Sequence, residues 1–214
     1  TPTQYVNNVL LGEGVTATNV QFSGSLEQIG YLTDGVGFSI ENGIIMSTDL
    51  ATNPATCDGA AGCGGCGGAG DPDLLTVANS VPPLIGQTFN VQSVNDVCIL
   101  EFDFQPSGDF VSFNYVFGSD EYLGWVNSQY NDIFAFFLSG PGISGPYASP
   151  AGFPDGAINI AQVPDSDPPL PVTISSVNDV TNPEYYIDNP GAVDQPCING
   201  YTELFTASSP VSCG

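Results

Sequence analysis

The chain has 214 residues, 42% of them hydrophobic, and carries 23 acidic side chains with no Lys, Arg or His. The apolar content excludes global disorder, and the missing basic residues exclude binding to nucleic acid or anionic membrane, which relies on Lys and Arg. No salt bridge between side chains can form, so a buried carboxylate must be protonated, bonded to neutral donors or held by a cation.

From the N-terminus, "TPTQYVNNVLL" reads as a strand or arm over residues 1–11, ahead of one sandwich spanning 12–214. "GIIMST" follows as a short strand. "CDGAAGCGGCGG" then places Cys57, Cys63 and Cys66 in a Gly-rich loop that can bend to meet disulfide geometry. With Cys98, Cys197 and Cys213 they make an even set without His, which points to disulfides and an oxidising, extracellular setting. The spacing does not fix the pairing. A loop closed by Cys197–Cys213 is one arrangement, and a three-thiolate metal site in the Gly-rich loop is the competing use. Helical signals are few, and "DPDLLTVA" is the best: Asp71 can cap, Pro72 suits the first turn and Asp73 favours the positive end of the dipole, with metal ligation by Asp71 and Asp73 as the alternative.

Strand signals dominate the rest. "CILEFDF" alternates Cys98, Leu100, Phe102 and Phe104 against Glu101 and Asp103, which makes Cys98 a candidate buried free thiol. "VSFNYVF" alternates in the same way, and "DIFAFFL" is apolar on both faces, as a central strand would be. "AINIAQV", "PVTISSV" and "YTELFTA" are further candidates. Gly and Pro, at 26 and 18, punctuate the chain at the rhythm of short strands and turns. The expected architecture is all-β: a two-sheet antiparallel sandwich, jelly-roll-like, with one short helix. No apolar run is long enough to span a bilayer, so direct membrane insertion is not expected.

The segment "NYVFGSDEYLGWVNSQYNDIFAFF" concentrates the chemistry. Asp120, Glu121, Asn131 and Asp132 stand at the ends of two strand candidates. If those strands pair as a hairpin, both acidic pairs reach one edge of the sandwich. Carboxylates with an Asn amide and backbone carbonyls suit Ca²⁺, which takes many oxygen ligands from irregular loops. The competing reading is a solvated acidic shell that only confers solubility. Glu121 and Asp132 also have the residue types of a glycosidase pair, but no His, Lys or Arg supports acid–base work, so no enzyme is expected. Trp125 and Tyr130 in the intervening loop could stack on surface glycans or anchor the loop in the core.

"FNYVFGSDEY", "YNDIFAFFLSGPG", "LEFDFQPSGD" and "NGIIMSTD", with "LLGEGVTATNVQFSG", "NIAQVP", "VTISSVN" and "YYIDN" in order, resemble the bacterial choice-of-anchor L domain. The resemblance implies a secreted β-sandwich on bacterial surface proteins. It also brings Asp188 and Asn189 of "YYIDN" near the acidic segment as further Ca²⁺ ligands. Asp120 stands where the family usually has Glu. Family members typically continue beyond "SCG" into further strands, so a groove is expected that a strand from a neighbouring subunit would fill. Tyr5, Val6, Val9, Leu10 and Leu11 are the candidate donors, and head-to-tail donation between copies would build a filament. The alternative is that Gly214 is a proteolytic boundary and Val9–Leu11 pair within their own sheet. The expected protein is a secreted, Ca²⁺-stabilised structural subunit, with a carbohydrate-binding adhesion module as the alternative.

Overall fold

A computed structural model describes residues 1–12, 14–56, 66 and 70–212. In chain order it contains α1 (Pro2–Tyr5), β1 (Thr16–Ser23), β2 (Ile29–Leu32), β3 (Gly43–Met46), α2 (Asn53–Thr56) and α3 (Pro72–Leu84). Then come β4 (Ile99–Gln105), β5 (Phe110–Tyr115), β6 (Gly118–Ser119), β7 (Phe137–Leu138), β8 (Ile158–Asn159), β9 (Tyr186–Asp188), β10 (Gly200–Thr202) and β11 (Phe205–Pro210). The chain is mostly β and antiparallel, as an all-β sandwich requires. Its hydrogen-bonded sheets are small: β1–β4, β6–β10–β9, β11–β5, β2–β3 and β7–β8.

Alternation decides the pairing. In β5, Val111 and Tyr115 point inward and meet the inward face of β11, where Phe205 lies opposite Tyr115 and Ala207 opposite Phe113. Tyr115 meets the rings of Phe205 and Phe136 edge-on, each at 5.7 Å. Val172, Ile174, Val177 and Leu138 close this core. Phe205 is 1% exposed, so truncation to Ala would cost about 3–5 kcal/mol.

The expected helix forms. Asp71 Oδ1 accepts from the N–H groups of Asp73 and Leu74 at 2.9 and 2.8 Å, Pro72 occupies the first turn, and α3 buries Val77, Ala78 and Val81 completely. Pro82 and Pro83 lie in its final turn, where their missing N–H groups help end it at Leu84.

Several strand expectations shrink or fail. Of "DIFAFFL" only Phe137–Leu138 is a strand, with an isolated bridge from Ile133 to Thr173. "AINIAQV" retains Ile158–Asn159, and "YTELFTA" breaks at Glu203–Leu204 between β10 and β11. "PVTISSV" forms no strand at all. Thr173 N–H donates to Ser176 Oγ, and the Ser175 and Ser176 N–H groups donate to Thr173 Oγ1, so hydroxyls replace the ladder. Thr173, Ser175, Ser176 and Asn178 are all 0% exposed, a knot of neutral polar groups inside the core.

The N-terminal arm differs most from expectation. Residues 2–5 are helical behind a Thr1–Gln4 capping box, and Val6–Leu10 continue as a π-turn closed by Leu11 N–H to Val6 O. This segment packs on β1, β2 and β3 of its own chain, with Val6 fully buried and Tyr5, Val9, Leu10 and Leu11 half-buried. It is therefore neither an extended strand nor a member of its own sheet.

Candidate functional site

The acidic residues converge beside the sheet β6–β10–β9, but not by the expected hairpin. β6 pairs with β10 through Ser119 and Gly200, and Gly200 pairs in turn with Asp188 of β9. Close backbone approach makes this possible, since a Cβ on Gly118 would collide with Ile198 and one on Gly200 with the Tyr186 ring. Residues 132–138 instead reach across to Thr173, Ile158 and Asn159.

A side chain closes the gap. Ser119, 5% exposed, donates its hydroxyl to Asp132 Oδ2 at 2.6 Å and accepts the Glu121 N–H at 2.9 Å. Asn199 Nδ2 fixes the next residue by donating to the Asp120 carbonyl at 2.5 Å. Asn131, 6% exposed, accepts the Ser175 N–H on Oδ1 at 3.2 Å, which hangs the segment on the polar knot.

The charges repel along a line. Loss of hydration raises the pKa of Asp132 most, the Ser119 hydroxyl opposes it, and repulsion from Asp120 adds to it. Asp132 and Asp120 are nonetheless exposed as residues, so the shift reflects crowding by neighbouring protein atoms at the rim of the sheet and not burial. Desolvation also raises Asp120, against a hydrogen bond from the Asn199 backbone and with repulsion from Asp49. Glu121 is raised by desolvation and by Asp132. Asp49, Asp120, Asp132 and Glu121 thus form a chain of like charges.

Asp49 is the member the sequence did not single out. It follows β3 in "NGIIMSTD", where its N–H bonds Ser47 Oγ at 3.0 Å and its Oδ2 accepts from Asn53 Nδ2 at 3.1 Å. Its only signal was that block of the resemblance, which reads locally as a strand end.

Two buried polar atoms stand next to the line without a hydrogen-bond partner: the Tyr122 hydroxyl, in a residue 5% exposed, and Asn131 Nδ2. Burial and repulsion from Tyr186 and Asp132 push the Tyr122 phenol well above its ordinary range. Asp188 and Asn189 lie in and beside β9, on the far side of the same sheet. The exposed Asp188 accepts the Tyr186 hydroxyl at 3.1 Å, while Asn189 Nδ2 donates to the carbonyls of Asp194, Pro196 and Ile198. Among the described residues, no three His, Cys, Asp or Glu side chains converge as a ready-made metal centre.

Trp125 and Tyr130 are 49% and 51% exposed, so neither anchors the loop in the core. Cys98 is a free thiol, half-buried, and donates to the Ser47 carbonyl at 3.3 Å; burial raises its pKa. That removes Cys98 from the disulfide candidates and bears out its inward phase. Cys66 and Cys197 each take part in a disulfide. Cys57, Cys63 and Cys213 lie outside the described residues, and with them the Cys197–Cys213 pairing, while the bonded Cys66 has no thiolate to give to the three-thiolate alternative.

No curated protein and no solved structure matches this chain. The family model described as the choice-of-anchor L domain matches residues 1–214, the whole chain, which therefore belongs to the choice-of-anchor L family.

Proposed function

We propose that this domain is a secreted structural module whose acidic crevice is closed by a bound Ca²⁺ ion. Family membership makes it a bacterial surface-associated protein of a non-enzymatic family. No described helix is long and apolar enough to cross a membrane. The observation that carries the metal reading is the Asp132 carboxylate, desolvated and facing Asp120 and Glu121 in a chain without one basic side chain.

The donor set fits a hard cation. Asp120, Asp132 and Glu121 supply carboxylate oxygens, Asp49 stands next in line, and the unpartnered Tyr122 hydroxyl adds a neutral oxygen. The carboxylates form a line and not a cage, so neutral oxygens and water must complete the shell. Ca²⁺ accepts such irregular, mixed sets, whereas Mg²⁺ demands a near-ideal octahedron. When bound, the ion supplies positive charge that the polypeptide lacks. Ser119 orients Asp132 for it, and Asn131 and Asn199 hold the two backbones in place.

The test is melting in EDTA and in Ca²⁺. At about a hundred times Kd the ion would add about 2.7 kcal/mol. For a chain of this size that is roughly 5–10 °C in Tm. Identical melting in both buffers, with no heat of Ca²⁺ binding by calorimetry, would remove the ion from the account.

A finer reading makes the module a repeating subunit that donates Tyr5, Val6, Val9, Leu10 and Leu11 to the next copy. Among the described residues, β1–β4 and β5–β11 are two-stranded, which leaves outer edges able to accept a strand. Donation requires the short N-terminal helix to unwind and Val6 to leave its own core. Protein lacking residues 1–8 should then cap assembly when mixed with the intact chain, and unchanged assembly would reject donation.

A further inference from the structure

The loop from Glu121 to Asn131 presents a half-exposed aromatic pair that the acidic crevice does not use. Trp125 and Tyr130 meet edge to face at 4.9 Å, with Leu123, 41% exposed, in the same loop. The loop backbone is held in place. Trp125 N–H bonds the Glu121 carbonyl at 3.1 Å, Asn127 N–H bonds the buried Ser175 Oγ at 2.9 Å, and Tyr130 N–H bonds Ser128 Oγ at 3.1 Å. A pinned loop that leaves both rings half in water presents a surface for something else.

Charge selects the occupant. The chain carries a net charge of −23, so the field over the rings repels anions and attracts cations, and the negative ring faces add to that attraction. A guanidinium matches best, because it is planar, weakly hydrated and stacks on aromatic faces. Residues 1–214 contain no Arg or Lys, so neither they nor a second copy of them can supply the guanidinium. We propose that Trp125 and Tyr130 form a docking platform for an arginine side chain of a different protein. This proposal does not depend on the cation crevice.

Trp125 is the sole tryptophan, so intrinsic emission reads the site without a label. The experiment titrates the intact protein with acetyl-Gly-Arg-Gly-amide and with its Gln counterpart at constant ionic strength. A saturable emission shift is expected with the Arg peptide alone. Tyr130→Ala should weaken it about five-fold, and Tyr130→Phe, which keeps the ring, should restore it. Tyr31→Ala, at an equally exposed tyrosine in β2, should change nothing. Equal responses to the Arg and Gln peptides, or an Arg response indifferent to Tyr130→Ala, would overturn the proposal. So would a response to N-acetylglucosamine stronger than that to the Arg peptide, which would give the rings to a glycan.

Discussion

Replacing Asp132 with Asn separates charge from shape at the crevice. The new amide oxygen can still accept the Ser119 hydroxyl, now bonded to Asp132 at 2.6 Å. In EDTA the variant loses the charge-assisted part of that bond, about 1 kcal/mol. It also loses the repulsion from Asp120 and Glu121, worth roughly 0–1 kcal/mol where solvent still screens the pair. These terms nearly cancel, so parent and variant should melt within about 2–4 °C of each other without metal. In Ca²⁺ they should separate, because the variant has lost a ligand and keeps less than half of the parent's gain. Differential scanning calorimetry in both buffers reads the two differences directly. Equal Ca²⁺ shifts for parent and variant, or a variant melting far below the parent already in EDTA, would refute the reasoning.

Three other outcomes follow from the same contacts. The folded pKa values of Asp120, Glu121 and Asp132 lie above the ordinary 3.8 and 4.5, so the folded state holds extra protons in that window. Their contribution to stability is fully present below those ordinary values and is lost as pH rises through the raised ones; urea unfolding in EDTA should show greater stability in mild acid than at neutrality. Asn178→Ala deletes a fully buried side chain that bonds the carbonyls of Ile174 and Ser175 and the N–H groups of Val180 and Thr181. Stranding those groups should cost about 3–5 kcal/mol by chemical denaturation, the upper range for a buried network. Asp71→Ala removes a cap accepting from two N–H groups, and a loss of about 0.5–2 kcal/mol in the same assay is expected.

What the sequence disclosed was local. Alternation in "CILEFDF" and "VSFNYVF" and the cap at Asp71 depend on neighbours a few residues away, and each appears as read. Long-range partners were not legible. The hairpin expected between β5 and residues 132–138 gives way to β5–β11 and β6–β10, which join segments roughly eighty to a hundred residues apart. The acidic pairs still meet, because Ser119 bridges to Asp132 by its side chain, a contact that period-two patterning cannot reveal. Asp49 was missed for a related reason: its repulsion with Asp120 exists only once β3 and β6 are placed. In "PVTISSV" β-branched propensity pointed to a strand, yet hydroxyls that satisfy nearby N–H groups won. The arm over residues 1–11 misled because a strand reading weighs its apolar residues above the helix-start pattern of the Thr1–Gln4 capping box and Pro2.

The knot at Thr173–Asn178 holds no ionisable group. Acid, alkali and brine therefore leave its bonds alone, while the crevice hung from it through Asn131 gains or sheds charge. Such a neutral hub would let the outer loops swell, tighten or swap counter-ions as an extracellular medium changes, with the scaffold beneath them keeping its shape.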